Sequence, residues 1–297
     1  MQDALAAEYL NTQEVAAYLR LKERTIYELV RNRQIPCSRV TGKLLFPRRL
    51  IDLWVTSQLD FEGAELRRAP AVVAGSHDPL LEWALRASGS ELALLTGGSE
   101  DGLARLAADK AMVAGLHILD ARTGIHNVPA VQATGGLADI VLIEWAKREQ
   151  GLVVARGNPQ RLAGIADLAR PGIRLVPRQE GAGAQILLRQ LLDQAKQRFE
   201  GLLVVDPPAL TESEVAAAIL DGKADAGMAV RGVAHHFRLD FLPLRWERFD
   251  LALRRRSYFE PPVQRLLGFT RSEAFARHAA ELGGYDIAAT GAVTYNA

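Results

Sequence analysis

The sequence lacks several features on which whole classes of protein depend. Its single cysteine, Cys37, excludes a disulfide framework and a cysteine-rich zinc site. No uncharged apolar run approaches the roughly 18–20 residues that a membrane-spanning helix needs. The N-terminus has no basic segment followed by an apolar one, as a secretory signal would. These absences predict a soluble, cytoplasmic protein with no membrane partner.

The sequence also lacks the common enzyme motifs. The six histidines form no HExxH pattern or helical pair, which argues against a catalytic metal. There is no GxSxG elbow, no Walker P-loop and no GxGxxG fingerprint. We therefore predict a protein that is not an enzyme and has no cofactor and no resident metal ion.

Strong charge of one sign is absent as well. The formal net charge is +1, from 36 basic and 35 acidic side chains, so any nucleic-acid contact must come from a local patch. With 297 residues, 48% of them hydrophobic, the chain is long enough for a small domain plus a large one.

The first part of the chain has the pattern of two short helices joined by a turn. Asn11 and Glu14 form a capping-box signature before an apolar stripe. A second amphipathic helix fits residues 23–32. This spacing is typical of a helix-turn-helix, in which the second helix enters the major groove of DNA.

The next segment predicts a β-ribbon, or wing. Residues 34–47 alternate around Thr41 and Gly42, which is a hairpin signal, and residues 48–55 fit a closing amphipathic helix. A helix, turn, helix, wing and helix in this order predict binding to a double-stranded DNA operator.

Position along these elements predicts the DNA-contacting residues. Residues of the second helix should meet base edges or the nearest phosphates: Arg24, Thr25, Tyr27, Glu28 and Arg31. Other cations should contact phosphates without reading sequence: Arg33, Arg39, Lys43 and Arg48. Alternatively, Tyr27 packs against the wing. Because acidic residues weaken this patch, we expect a homodimer or higher homo-oligomer that reads two half-sites.

This head resembles the excisionase-like branch of the MerR winged-helix superfamily. The matching segments are YLNTQEVAAYLRLKERTIYELVRNRQIP, RVTGKLLFPRR and IDLW. Lys22 departs from the family, which usually has a Ser-type cap at the start of the second helix. The missing cap lowers the stability of that helix by about 1 kcal/mol. The alternative is an ordinary three-helix packing module whose charges are merely solvated.

The remainder of the chain alternates short apolar strands with amphipathic helices, which predicts an α/β fold. We place a winged helix-turn-helix domain at residues 1–60, a linker at 61–70 and an effector domain at 71–297. In such folds ligands bind beyond the carboxyl ends of the strands.

Three turns after predicted strands could bind one small anion. Each opens a helix and offers backbone N–H groups at the positive end of the helix dipole. Glycines allow close approach, and Arg178 adds a guanidinium. The alternative is that each turn only caps its helix. The candidate residues are Gly75, Ser76, His77 and Asp78 in the first turn, Gly98 and Ser99 in the second, and Arg178, Gly181, Ala182, Gly183 and Ala184 in the third.

The body resembles the periplasmic-binding-protein-like domain found beside molybdopterin-biosynthesis domains and behind bacterial helix-turn-helix heads. This resemblance implies a type II binding-protein fold, with lobe I at about 71–150 and 245–297 and lobe II at about 151–244. It also implies distant kinship to molybdate and tungstate binders. The landmarks are GSHD at 75–78, GGSEDGLARL at 97–106, AGLHILDARTGIHN at 114–127, QGLVVARGNP at 150–159, GIADLARPGIRLVPRQEGAGAQILL at 164–188, GKADAGMAVRGVA at 222–234 and LDFLPLRWERFDLAL at 239–253.

The third turn departs from this family. Relatives usually have Arg-x-x-Gly-Ser-Gly-Thr-Arg, whereas here Arg178 is followed by Gly-Ala-Gly-Ala, which removes two hydroxyls and a guanidinium. Each lost hydrogen bond to a charged ligand is worth about 1.5–3 kcal/mol. We keep molybdate or tungstate as the expected effector, with a small carboxylate as the alternative.

Four further residues near the expected cleft have a structural alternative. Asp225 lies at the end of a predicted strand, where relatives line the cleft, but a structural role is favoured, in which it anchors the hinge or orients Arg178. His117, Asp120 and Asn127 favour capping or packing over ligand contact.

Together, a DNA-reading head and a ligand-binding body predict an effector-controlled transcription regulator. One alternative is a binding or storage protein whose head contacts another protein. Another is an enzyme of molybdenum-cofactor assembly, although no residues suggest its chemistry.

Overall fold

A computed structural model describes residues 8–40, 42–57 and 69–297. The chain divides between residues 66 and 67 into two compact units, called here the head and the body. Thr41 of the predicted hairpin and residues 61–68 of the predicted linker lie outside the described residues.

The described part of the head is a winged helix-turn-helix, as predicted. Its wing strands pair antiparallel, with Val40 opposite Lys43, and β1 pairs with the other edge of β3. The helices are α1 Thr12–Leu19, α2 Glu23–Arg31 and α3 Arg48–Ser57, and the strands are β1 Tyr9–Leu10, β2 Ser38–Val40 and β3 Lys43–Pro47.

Local sequence explains where the head helices begin. The Asn11 side chain accepts hydrogen bonds from the backbone N–H groups of Gln13 and Glu14, and the Glu14 side chain accepts one from the Asn11 backbone N–H, so the predicted capping box is present. Lys22 precedes α2 without a side-chain cap, as expected from its departure from the family. A small core that includes Ile26, Phe46 and Ile51 joins the helices to the wing.

The body is built on one large mixed sheet. Within residues 69–297 ten strands hydrogen-bond in the order β5-β4-β6-β11-β7-β10-β8-β9, with β12 and β13 also paired to β7. The strands are β4 Val72–Gly75, β5 Ala93–Thr96, β6 Val113–Leu116, β7 Ile140–Val154, β8 Arg174–Val176, β9 Leu203–Val204, β10 Ala226–Val230, β11 Asp240–Arg254, β12 Tyr285–Asp286 and β13 Val293–Asn296.

Helices cover this sheet and follow its parallel strands. Short 3₁₀ segments occur at Ile165–Ala169 and Phe199–Gly201. The α-helices are α4 Pro79–Ala87, α5 Ser99–Ala107, α6 Val128–Ala133, α7 Gly183–Gln194, α8 Glu212–Leu220, α9 Arg231–His236, α10 Arg255–Tyr258, α11 Pro261–Phe269 and α12 Glu273–Leu282.

Two long strands connect two lobes of the body. β7 and β11 each have 15 residues and pair antiparallel along their lengths. One end of β7 packs into apolar cores with β4 and β6, and the other end packs with β8 and β10. This arrangement confirms the predicted α/β fold with a two-lobed, periplasmic-binding-protein-like body. None of the helices in the described ranges is long and apolar enough to span a membrane.

Candidate functional site

The head carries a groove between its second helix and its wing. Its volume is about 830 Å³. Tyr27 and Arg31 of α2 line one side, and Arg39 and Lys43 of the wing line the other. The start of α1, at Asn11–Gln13, closes one end. The structure therefore brings together four of the nine residues predicted to contact DNA.

The other predicted DNA-contact residues lie outside the lining of this groove. Arg24 and Glu28 are exposed and form an ion pair with each other at 3.1 Å. Thr25 is half-buried, and Arg33 is exposed with left-handed backbone (φ 56°). Arg48 lies over the Tyr18 ring, 5.1 Å from its centre.

In the body, the first two predicted ligand turns meet at a pair of serines. Ser76 follows β4 and Ser99 begins α5, and their hydroxyl oxygens are 2.8 Å apart. The backbone N–H of His117 donates to Ser99 Oγ at 3.2 Å. Both serines are buried.

The third turn comes from the other lobe and closes against the second. Glu100 N–H donates to the Gly181 carbonyl at 3.2 Å. A Cβ added to Gly98 would lie 3.0 Å from the Ala182 nitrogen, and one added to Gly183 would lie 2.6 Å from the His117 carbonyl. Glycine is therefore required where the lobes touch. The three predicted turns converge on one place.

The helices behind these turns begin differently. Asp78 caps α4 by accepting from Leu81 N–H, and Pro79 occupies the first helical position. By contrast, α5 begins after Gly98, and α7 after Ala182, without a side-chain cap. The partial positive charge at these two helix starts favours a negatively charged group. Ala184 is buried in the first turn of α7.

A buried cluster of charged side chains forms the floor of the cleft. Arg148, on β7 where the lobes join, is fully buried. Its guanidinium donates to Glu247 at 2.7 Å and to Asp78 at 3.0 Å, and it lies 3.5 Å from Glu212. Asp78 belongs to lobe I and Glu212 to lobe II, so Arg148 links both lobes to the strands between them.

This cluster determines the protonation of its members. Burial alone would raise the pKa of Glu247, but the nearby His117 and Arg148 outweigh burial and lower the pKa to about 2. Burial alone would lower the pKa of Arg148, but the Glu247, Glu212 and Asp78 carboxylates raise it above its usual value. Glu247 and Arg148 therefore remain charged at neutral pH.

Two predicted ligand residues are occupied by protein partners. Besides capping α4, Asp78 accepts from Trp145 Nε1 at 3.1 Å and from Tyr285 Oη at 2.8 Å. Arg178 donates to the carbonyls of Ala209 and Leu210 at 3.1 and 3.0 Å. Both side chains thus hold the walls of the cleft, which differs from their expected role as direct ligand contacts.

Asp225 lies away from the cleft and from Arg178. It precedes β10 instead of ending a strand, and it binds Arg174 at 3.0 Å at the start of β8. Arg178 follows the opposite end of β8, so the expected placement of Asp225 in the cleft and beside Arg178 is corrected. The error arose because the strand in this segment begins after Asp225.

The structural roles expected for three residues agree with their contacts. Asn127 donates to Asp250 at 2.7 Å and accepts from Ile118 N–H at 2.7 Å. Asp120 accepts two hydrogen bonds from Thr123. His117 is buried and bonds Glu247 at 3.0 Å, which also makes it part of the cleft floor.

Sequence reasoning missed the central members of the floor. Arg148 and Glu247 lie in long strands, and Glu212 follows the N-cap of α8, where an acid usually interacts with the helix dipole. The available signal was the polar run at residues 147–150, in the middle of a long strand whose two ends are apolar. Buried charges are rare unless paired, so such a run indicates a partner network.

Several buried polar atoms of the cleft make no hydrogen bond within the described residues. They are His77 Nδ1, Arg148 Nη2, Gln150 Oε1 and Gln185 Nε2. Gln150 and Gln185 are held by their other atoms, through Glu212 and the Arg178 backbone. Because unsatisfied buried groups are costly, this cluster fits a place that a polar ligand or water fills.

Comparisons with known proteins agree with this architecture. A family model described as a PBP superfamily domain matches residues 82–271, and one described as a helix-turn-helix domain matches residues 9–59. The uncharacterized protein YvgK of Bacillus subtilis (strain 168) is 27% identical over 306 residues, covering 95% of this chain and 96% of that protein.

Solved structures are similar in fold. A Corynebacterium glutamicum OxyR mutant with H₂O₂ bound has a TM-score of 0.53 and 14% identity, covering 92% of this chain and 90% of its own. The sulfate-binding protein SubI of Mycobacterium tuberculosis has a TM-score of 0.49 and 16% identity, covering 72% of this chain and 85% of its own.

Proposed function

The chain belongs to the PBP superfamily and has a helix-turn-helix domain near its N-terminus, and from this premise we propose a transcription regulator whose operator binding responds to a small ligand. The observation that carries the proposal is the combination of two sites in one chain. Tyr27, Arg31, Arg39 and Lys43 line a basic groove of the head, while three turns meet in a cleft of the body. A storage protein has no need of the first site.

The ligand we propose is a small anion. The Ser76 and Ser99 hydroxyls and the uncapped starts of α5 and α7 support it, because each offers hydrogen-bond donors or partial positive charge to one point. Molybdate or tungstate and a small carboxylate are the two classes to compare. The chemistry is binding alone, without a catalytic step.

The proposed mechanism is a shift between open and closed lobes. A ligand that contacts Ser99 in lobe I and the Gly181–Gly183 turn in lobe II binds the closed arrangement better. It can shift the balance only by this difference in affinity. In a homodimer, closure would alter the spacing of two heads and so the fit to two half-sites.

Operator binding tests the proposal directly. Fluorescence anisotropy with fragments upstream of the chain's own gene, at about 100 mM salt, should give saturable binding, because phosphate contacts dominate affinity at that salt. Molybdate, tungstate and a set of small carboxylates are then added. We expect at least one to change the affinity for one fragment. Ser99→Ala should abolish that response but keep ligand-free DNA binding.

The operator-binding experiment has two distinct negative outcomes. Absence of saturable binding to every fragment would exclude the regulator and favour the storage protein. Binding that no added anion changes would instead exclude the proposed ligand class.

A further inference from the structure

One cavity of the body is lined by residues of both lobes. Its volume is about 540 Å³, within the range of small-molecule sites. Lobe I contributes α4 and β5, and lobe II contributes the start of α8. The lining residues are His77, Glu82, Leu85, Arg86, Leu92, Leu94, Thr96, Thr211 and Ser213.

This cavity is lined by sequence neighbours of the residues of the anion site. His77 directly follows Ser76, and Thr96 ends the strand that leads to Ser99. On the other lobe, Thr211 and Ser213 flank Glu212, which belongs to the charged floor. A molecule longer than a tetrahedral ion could therefore hold the serine pair at one end and fill the cavity with the other.

The charges of the floor disfavour a bare dianion. Three buried carboxylates already belong to this floor, beside the buried side chains of Arg148, Arg178 and His117: they are Asp78, Glu212 and Glu247. A tetrahedral dianion would add two more negative charges to this buried cluster. Burying uncompensated charge is expensive. A single carboxylate on a ligand that also carries a hydrogen-bond donor suits this balance better.

His77 offers a partner for such a donor. Its side chain is only 4% exposed, and its Nε2 bonds Glu82 at 3.0 Å. The hydrogen bond from His77 lowers the pKa of Glu82 to about 2, so Glu82 is a carboxylate and His77 Nε2 holds the proton. In the tautomer that carries its proton on Nε2, His77 Nδ1 is an acceptor, and it makes no hydrogen bond within the described residues.

We propose that the ligand is a small aliphatic 2-hydroxy or 2-amino acid, an inference that rests on the proposed ligand cleft. Its carboxylate binds at Ser76 and Ser99, and its hydroxyl or ammonium donates to His77 Nδ1. Its aliphatic part lies against the leucines of the cavity, Leu85, Leu92 and Leu94. Thr211 and Ser213 close over it from lobe II.

Calorimetric titration of the full chain with five probes tests this assignment. The probes are leucine, 2-hydroxyisocaproate, isocaproate, acetate and molybdate. We expect leucine or 2-hydroxyisocaproate to bind most tightly. Isocaproate lacks the donor and acetate lacks the aliphatic part, so each should bind at least about tenfold more weakly, as expected for one lost hydrogen bond or apolar contact.

Variants test the position of the aliphatic part. Ser213→Phe fills the cavity. This variant should bind the best organic acid at least about tenfold more weakly than the wild type does, whereas its affinity for acetate should change little. Ala217→Phe, on the exposed face of the same helix, is the matched control and should bind like the wild type. Leu94→Ala, which cannot block the cavity, should weaken only the probes with an aliphatic part.

Molybdate binding more tightly than every organic acid would overturn the inference, as would an unchanged affinity in both Ser213→Phe and Leu94→Ala or no binding of any organic acid. If molybdate then changes operator binding, the proposed regulator stands without this ligand class. If an organic acid binds as expected but leaves operator binding unchanged, this inference stands and the proposed regulation fails.

Discussion

At the scale of single residues, Arg148 organises the centre of the body. Its guanidinium contacts carboxylates from lobe I, from lobe II and from the strand beside it. Such a buried group is costly to leave unpaired, so these partners fix one arrangement of the lobes relative to the strands. The sequence could not predict this network, because its members are 169 positions apart at the extremes, from Asp78 to Glu247.

The pH dependence of stability follows from Glu247. Its pKa is lowered from 4.5 to about 2 in the folded protein. A depressed carboxylate contributes stability above its unfolded pKa, and that contribution is lost as pH falls toward the folded pKa. We expect Glu247→Gln to reduce the free energy of unfolding by about 3 kcal/mol near neutral pH, and this deficit to shrink between about pH 5 and pH 2.

Urea denaturation at several pH values measures this deficit. Glu91→Gln, at an exposed glutamate paired with Arg265 on the surface, is the control and should show almost no deficit. A deficit for Glu247→Gln that stayed constant down to pH 3, or grew, would contradict the ionised state described for the cleft floor.

In the head, Arg31 is the residue whose removal should affect DNA most clearly. It is exposed, and it lines the groove with Tyr27 and the wing. Arg31→Ala should weaken operator binding about tenfold or more, since one good base contact is worth about 1–3 kcal/mol. Its melting temperature should not change, because the side chain packs no core.

Arg49→Ala removes an exposed arginine of α3 that does not line the groove, and it serves as the matched control. Equal effects of both substitutions, measured by anisotropy at one salt concentration, would show that general charge and not the groove governs binding.

At the scale of elements, the turns that follow strands were the most predictable part of the body. Short apolar strands that end in Gly-Ser or Gly-x-Gly turns before amphipathic helices indicate both the fold and the edge where ligands bind. The packing of Gly98 and Gly183 across the lobes depends on the closed arrangement, which local patterns do not encode. The ends of strands were less predictable. Asp225 was expected at the end of a strand, but β10 begins one residue after it.

The start of α7 offers a test of lobe closure. A methyl group at Gly183 would meet the His117 carbonyl at 2.6 Å, so Gly183→Ala should hold the lobes apart. Overpacking of this kind costs about 1–3 kcal/mol, so ligand affinity should fall about tenfold or more. Stability without ligand should change less, because the lobes can open to relieve the contact.

Gly201→Ala is the matched control, because a Cβ there meets nothing within 4 Å. Titration of both variants with the best ligand of the wild type measures the effect. Wild-type affinity in Gly183→Ala would contradict the closed contact between the two turns.

At the scale of the whole molecule, the proposed regulation depends on coupling between two units of one chain. Composition and motif order predicted both units and their fold classes, because a helix-turn-helix and an alternating α/β pattern have distinct periodicities. The chemical class of the ligand was less predictable. The ligand charge that the site can accept depends on Arg148, Glu212 and Glu247, which come together only in the folded body.

Linkage between the two sites gives the most direct measurement of this coupling. The dissociation constant of the best ligand is determined by titration of the free chain and of the chain saturated with its operator. Coupling between two sites is reciprocal, so the two constants should differ by about fivefold or more, and by the same factor as the ligand changes operator affinity. Identical ligand dissociation constants with and without operator would contradict the proposal that the body controls the head.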